Sequence, residues 1–350
     1  MNDSQSIKIG DALVAPGEQR SIELSLPALY SQTPVTMPVQ VVNGRRPGPV
    51  LFVSAAIHGD EINGVEIIRR LLKRSLSTIR GAIIAVPVVN VYGFVNQSRY
   101  LPDRRDLNRS FPGSEKGSMA GRLAHTFMSE IVMQCTHGID LHTGAIGREN
   151  LPQIRAKVIG APETERMAHA FGAPVILNAE FRDGSLREAV ADYGIPVLLY
   201  EAGEALRFDE VSIRAGVKGI VNVMRYLGML PKSRSRRSSN VSLVAQKSQW
   251  VRAPESGILR SIAPLGATVA EGEVIGWVAD PFGNREQQVC ASASGVIIGK
   301  TNHPLVHEGE ALIHIARFKE SEEITEAVEA FQGEHDPATD PTASAEPVIF

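Results

Sequence analysis

Short apolar runs divide the N-terminal part of the chain, and several end in a polar turn. Val50 to Ile57 is continuous, apolar and partly β-branched, which predicts a strand buried on both faces. After it, Val65, Ile68, Leu71 and Leu72 recur at helical spacing, with Arg69, Arg70, Lys73 and Arg74 on the other faces. Ala82 to Val89 predicts a second buried strand. Met119, Leu123, Phe127 and Ile131 mark a helix leading into the strand Gly138 to Gly144. Further strands are expected at Ala156–Gly160, Pro174–Leu177 and Pro196–Gly203. Ile213, Val217, Ile220, Val221, Met224 and Leu227 then outline a long closing helix. Strand, helix and strand in alternation give an α/β fold, a mixed sheet flanked by helices. Residues 8 to 44 alternate loosely and are expected to add antiparallel edge strands, at Ile22–Leu26 and Val35–Val42.

Residues 90 to 117 lack periodicity and are crowded with polar groups, yet their interleaved aromatics and the Phe111-Pro-Gly turn favour an ordered, functional loop. The α/β pattern ends near residue 230. Residues 231–240 read as a basic, serine-rich hinge, and residues 241–317 change to short strands with glycine turns. There Glu255-Ser-Gly-Ile-Leu is answered by Ala293-Ser-Gly-Val-Ile, and Glu271-Gly-Glu-Val-Ile by Glu308-Gly-Glu-Ala-Leu, so a small all-β module of two similar halves is expected. It resembles biotinyl and lipoyl carrier domains (barrel-sandwich folds). The hairpin starting at Asp280-Pro-Phe-Gly has no lysine for a carrier group, so the scaffold is expected without the carrier function. Residues 318–350 are acidic, partly helical at most, and expected to fade into disorder.

Composition narrows the classes. The chain has 350 residues, 43% hydrophobic and 21% charged, with net charge −3. That balance argues against nucleic acid and membrane surfaces as partners. No apolar run approaches membrane-spanning length and no signal-peptide pattern opens the sequence. Cys135 and Cys290 lie far apart, which favours reduced thiols and a cytoplasmic setting. The β module offers an assembly surface for a homo-oligomer.

The candidate chemistry starts at His58-Gly-Asp-Glu61, where a strand hands over to a helix. His58 and Glu61 can aim an imidazole and a carboxylate at one point, or can simply be a helix start with acidic first-turn residues. A second strand end carries Asp140-Leu-His142, with both polar side chains on one face. His142 would complete the His2Glu set of a catalytic zinc site, with Asp140 orienting its ring from outside. Glu201 closes another apolar strand, where an acid is costly to bury unless paired or beside a metal. It is read as a general base, with Glu204 or a solvated strand end as the alternative.

With these residues in place, the chain resembles the succinylglutamate desuccinylase/aspartoacylase family, a branch of the zinc carboxypeptidase fold. The matching motifs are His58-Gly-Asp-Glu61, Asp106-Leu-Asn108-Arg109-x-Phe111-Pro-Gly, Asp140-Leu-His142-Thr and Glu201-Ala-Gly, within residues 45–230. The resemblance implies one zinc ion per chain on His58, Glu61 and His142, with Glu201 as the base for the attacking water. It implies Asn108 and Arg109 as the grip on a substrate carboxylate, Arg187 as a further substrate arginine, and Asp106 as partner of the first zinc histidine. Arg99 is its nearest match to an oxyanion arginine, with Arg104 and Arg105 close by. Arg148, Arg155 and Arg182 are either pocket arginines for an acidic substrate or ordinary surface residues. The implied reaction is removal of an acyl group from an N-acyl amino acid or a similar carboxylate-bearing amide. The alternatives are a carboxypeptidase or deglutamylase-like enzyme acting on a peptide C-terminus, and a zinc-binding partner protein without turnover.

Overall fold

A computed structural model of the chain describes residues 5–232, 242–318 and 322–338. Residues 233–240 of the expected hinge and 339–350 of the expected tail lie outside the described residues. The chain opens with β1 (Ile7–Ile9), β2 (Ala12–Val14), β3 (Gln19–Leu26), β4 (Val35–Asn43), β5 (Arg46–Ala55), α1 (Asn63–Leu72) and β6 (Arg80–Val86). There follow α2 (Val91–Val95), α3 (Met119–Glu130), β7 (His137–Gly144), β8 (Arg148–Ala156), α4 (Pro162–Phe171), β9 (Val175–Asn178), α5 (Leu186–Ala191), β10 (Val197–Glu204) and α6 (Glu210–Tyr226). The C-terminal part adds β11 (Leu243–Ala245), β12 (Lys247–Arg252), β13 (Gly257–Ser261), β14 (Thr268–Val269), β15 (Val274–Ala279) and β16 (Glu286–Cys290). It ends with β17 (Gly295–Thr301), β18 (Leu305–Val306), β19 (Ala311–Arg317) and α7 (Glu322–His335).

One large mixed sheet runs β12-β19-β17-β8-β10-β7-β5-β6-β4-β3. Its middle strands β10, β7, β5 and β6 are parallel, so their carboxyl ends share one edge. In sheets of this kind ligands gather at that edge. Both faces of these strands are covered. α1, α4 and α6 pack on one face around Ile67, Phe171 and Ile220, and α3 packs on the other around Leu123 and Phe127. This is why the central strands read as continuous apolar runs. Gly64 lets α1 settle against the sheet, since a Cβ there would lie 2.7 Å from the Cβ atoms of both Ala55 and Leu141.

One local expectation changes. The strand expected at Ala156–Gly160 is instead β8, which ends at Ala156. Its polar sequence escapes the apolar-run criterion because β8 lies between antiparallel β10 and β17, with side chains such as Arg155 paired to Glu201 of β10. The acidic segment read as partly helical forms α7, in which Ile324, Ala327, Val328 and Phe331 recur at helical spacing and are buried. Ile324 and Val328 join a core with Leu151, Leu177 and Ala316.

The C-terminal strands are all β, but they are not isolated from the rest. β16-β15-β13-β18 form a second sheet over a core that includes Ile275, Val278, Ile297 and Ile315. β17 pairs antiparallel with β8 (Gly299 opposite Asn150), and β11 pairs parallel with β9. The main sheet therefore continues from the parallel strands into the C-terminal ones. No helix among the described residues is long and apolar enough to cross a membrane.

Candidate metal centre

Each element ends where its polar residue is needed. β5 stops at Ala55, and Ala56 takes a left-handed backbone (φ 50°) that turns the chain out of the strand. His58 accepts at its carbonyl from the Glu61 N–H (3.1 Å), closing the turn that carries both side chains. Gly59 is required there by close approach, because a Cβ would lie 2.0 Å from the Gly93 carbonyl carbon. On β7, alternation puts Asp140 and His142 on one face. The register sets Glu201 of β10 directly beside His142.

His58 and His142 turn their Nδ1 atoms to opposite oxygens of Glu61, each at 2.7 Å. The remaining nitrogens meet carboxylates: Nε2 of His58 lies 3.1 Å from Asp106 and Nε2 of His142 lies 2.7 Å from Asp140. Asp140 is held in turn by the Ser54 hydroxyl (2.8 Å), and Asp106 by the Asn108 N–H (2.8 Å). One ligand atom from each of His58, Glu61 and His142 falls within 4.8 Å of the others, and all three residues are buried. Two imidazoles and a carboxylate make a donor set that suits a divalent transition metal. Rings fixed from behind by carboxylates are the usual partners of such a set. The residues therefore fit a metal ion.

Burial works against charge throughout the cluster, yet the mutual contacts outweigh it. Glu61 lies far below its ordinary value because His58 and His142 face it. His142 rises well above its own through Asp140 and Glu61, and His58 rises through Glu61 and Asp106. For Glu201 burial raises the carboxyl, but the Arg155 guanidinium at 2.8 Å and His142 prevail and hold it below its ordinary value. Glu204, the other acid at this strand end, is engaged elsewhere. It accepts from the Gly147 N–H (2.8 Å) and the Asn302 amide (2.9 Å).

The arginines sort themselves. Arg99 donates to Glu61 (3.2 Å) and to Asp106 (3.1 Å), whereas Arg105 is exposed and faces Asp103 at 3.8 Å. Asn108 accepts at Oδ1 from the Leu186 N–H (3.0 Å), pinning the start of α5 to this loop. Arg187 follows on α5, 7% exposed, donating to the Ala179 carbonyl at 3.4 Å. Arg109 is exposed and donates to its neighbour's carbonyl, that of Asn108.

Sequence reasoning missed the Arg155–Glu201 pair as a pair, and missed Trp250 and His314 altogether. Arg155 had one usable signal: it alternates with Gln153, which puts two polar side chains on one face of the strand. His314 had none, since a histidine inside an apolar strand fits an ordinary core. It is 6% exposed and stacks on Trp250 with ring centres 4.5 Å apart and planes 6° apart. Burial first, then Arg155 and Arg182, push its pKa down from 6.5 to about 4, against Glu201. Between those pH values the unfolded chain binds a proton that the folded chain refuses. His314 thus costs stability as pH falls through that window, up to on the order of 3 kcal/mol. His314→Gln is expected to flatten the acid limb of stability. Urea midpoints at pH 7 and pH 4.5 check this, and an unchanged pH slope in the variant would refute it.

A buried His2Glu cluster that could hold a metal ion stands at the parallel edge of this α/β sheet, and the comparisons specify the family. Residues 47–227 match the succinylglutamate desuccinylase/aspartoacylase catalytic domain, and the chain belongs to that family. A curated relative, N-alpha-acetyl-L-2,4-diaminobutyric acid deacetylase of Halomonas elongata, is 28% identical over 82% of this chain and 87% of its own. A succinylglutamate desuccinylase/aspartoacylase structure from Rhodobacter sphaeroides superposes with TM-score 0.77 at 25% identity, over 86% of this chain and 96% of that one. The product-bound ectoine utilization protein EutE (DoeB) of Ruegeria pomeroyi gives TM-score 0.77 at 25% identity, over 85% and 95%.

Proposed function

We propose that the chain is a zinc-dependent amide hydrolase that removes the acyl group from an N-acyl amino acid. The observation that carries this reading is Glu201 beside His142 in register, at the edge where His58, Glu61 and His142 converge. Zinc held by those three residues would supply a Lewis acid for the amide carbonyl and acidify water towards a pKa of about 7. Glu201, kept ionised by Arg155, takes the proton of the attacking water and returns it to the leaving amine. Arg99 steadies the developing oxyanion, a role that its contacts with Glu61 and Asp106 support. Asn108, Arg109 and Arg187 take the amino-acid carboxylate, and the Asn108–Leu186 bond keeps loop and helix in step. Asp106 and Asp140 fix the two rings. The family and the deacetylase name of the curated relative support the reaction class.

On this reading residues 1–230 carry the chemistry. Residues 241–317 keep the scaffold of a carrier-type domain without its lysine. The free thiols Cys135 and Cys290 support a reducing, cytoplasmic setting. A screen of the zinc-loaded chain against N-acyl amino acids and against peptides with free C-termini tests the proposal. Turnover of the acyl amino acids is expected. Turnover of peptides alone would replace the deacylase reading with the carboxypeptidase one.

A further inference from the structure

We infer that Ser54, a hydroxyl buried in the middle of the sheet, is a positioning residue for the metal. It fixes Asp140, Asp140 fixes the His142 ring, and the ring's orientation sets how tightly His58, Glu61 and His142 hold zinc. This rests on the metal reading of the site and adds to it a residue outside the ligand set.

Ser54 is out of place by composition. From Val50 to Ile57 every other side chain is apolar, and Ser54 is fully buried among them. A hydroxyl in such surroundings costs free energy unless it is hydrogen-bonded. The parallel pairing of β5 with β7 sets Ser54 directly beside Asp140, and the hydroxyl donates to Asp140 Oδ1 at 2.8 Å. The other oxygen of that carboxylate lies 2.7 Å from His142 Nε2, and His142 Nδ1 lies 2.7 Å from Glu61 Oε2. A buried line of contacts thus runs from the interior of β5 to the metal cluster.

The two histidines are not held alike. Behind His58, Asp106 accepts from two donors besides the ring, the Asn108 N–H at 2.8 Å and Arg99 at 3.1 Å. Behind His142, Asp140 is buried, and among the described residues the Ser54 hydroxyl is its one hydrogen-bond donor besides the ring. Asp106 therefore keeps its orientation when one contact is lost. Asp140 does not: without the hydroxyl its Oδ1 is buried and unsatisfied, and the carboxylate shifts or turns to relieve this. The ring that it orients moves with it. Ser54 also donates without bringing charge, so Asp140 stays an acceptor for a proton on Nε2 and leaves the Nδ1 lone pair for the cluster.

The test titrates zinc alone into the metal-free full chain in competition with a chelator. Ser54→Ala is expected to weaken zinc binding about tenfold, the lower end of what an orienting partner of a metal ligand contributes. The melting temperature of the metal-free variant reports that its fold is kept. Ser54→Cys keeps the shape of the side chain but only a weak donor, so its affinity should fall between the two. It carries the same test should Ser54→Ala not fold. A double-mutant cycle with Asp140→Ala checks the route: once the carboxylate is gone, Ser54→Ala should cost nothing further in zinc affinity. A serine that only fills space would leave the affinity untouched, and that result overturns the inference. An equal loss with and without Asp140 overturns it too, because the serine then acts by another path. Failure of the metal reading looks different: the wild-type chain itself takes up no zinc, and both fall together.

Discussion

Replacing Glu201 by glutamine is expected to lower kcat by roughly 100- to 10,000-fold, the usual contribution of a positioned general base. Zinc content should stay at one per chain, because Glu201 is outside the cluster formed by His58, Glu61 and His142. KM should change little, since glutamine keeps the volume and polarity of the side chain. The variant also leaves Arg155 without its anion, which gives a second readout. Its stability should fall modestly, because the ion pair at 2.8 Å is shielded from solvent. Steady-state rates with elemental analysis decide the matter. A variant with wild-type kcat removes Glu201 from the mechanism.

His142→Ala should have the other large effect, through the metal. It removes one of three ligands and strips Asp140 of the ring it orients, leaving the buried carboxylate of Asp140 with the Ser54 hydroxyl. Outer-shell partners alone are worth about 10- to 100-fold in metal affinity, so loss of the ligand itself should exceed that range. A chelator should then lower the melting temperature of the wild-type chain, because metal binds only the folded state. It should leave the variant unchanged, since that chain has little to lose. A variant that still holds stoichiometric zinc and responds to chelation would show that the ion sits elsewhere.

The two predictions rest on parts of the molecule that differ in how they are encoded. His58, Glu61 and His142 are legible because local pattern is enough. A buried run long enough for a strand, followed by a turn and an amphipathic helix, places its end residue at the sheet edge. Two such runs in one parallel sheet bring their ends to the same edge. The order of the loop before α3 is legible for a similar reason: polar residues without periodicity but with interleaved aromatics mark an ordered segment.

Arg155 opposite Leu199 and bonded to Glu201, β17 beside β8, and the stacking of Trp250 on His314 belong to the second kind. α7 joins them, docked on a core drawn from β8, β9 and β19. By itself the sequence determined which residues stand at strand ends and which face of each strand is buried, because alternation and helical spacing are properties of a few consecutive residues. Only the tertiary structure decided which strands are neighbours and in what register. That choice depends on packing and hydrogen bonding between segments far apart in the chain, which no local pattern records.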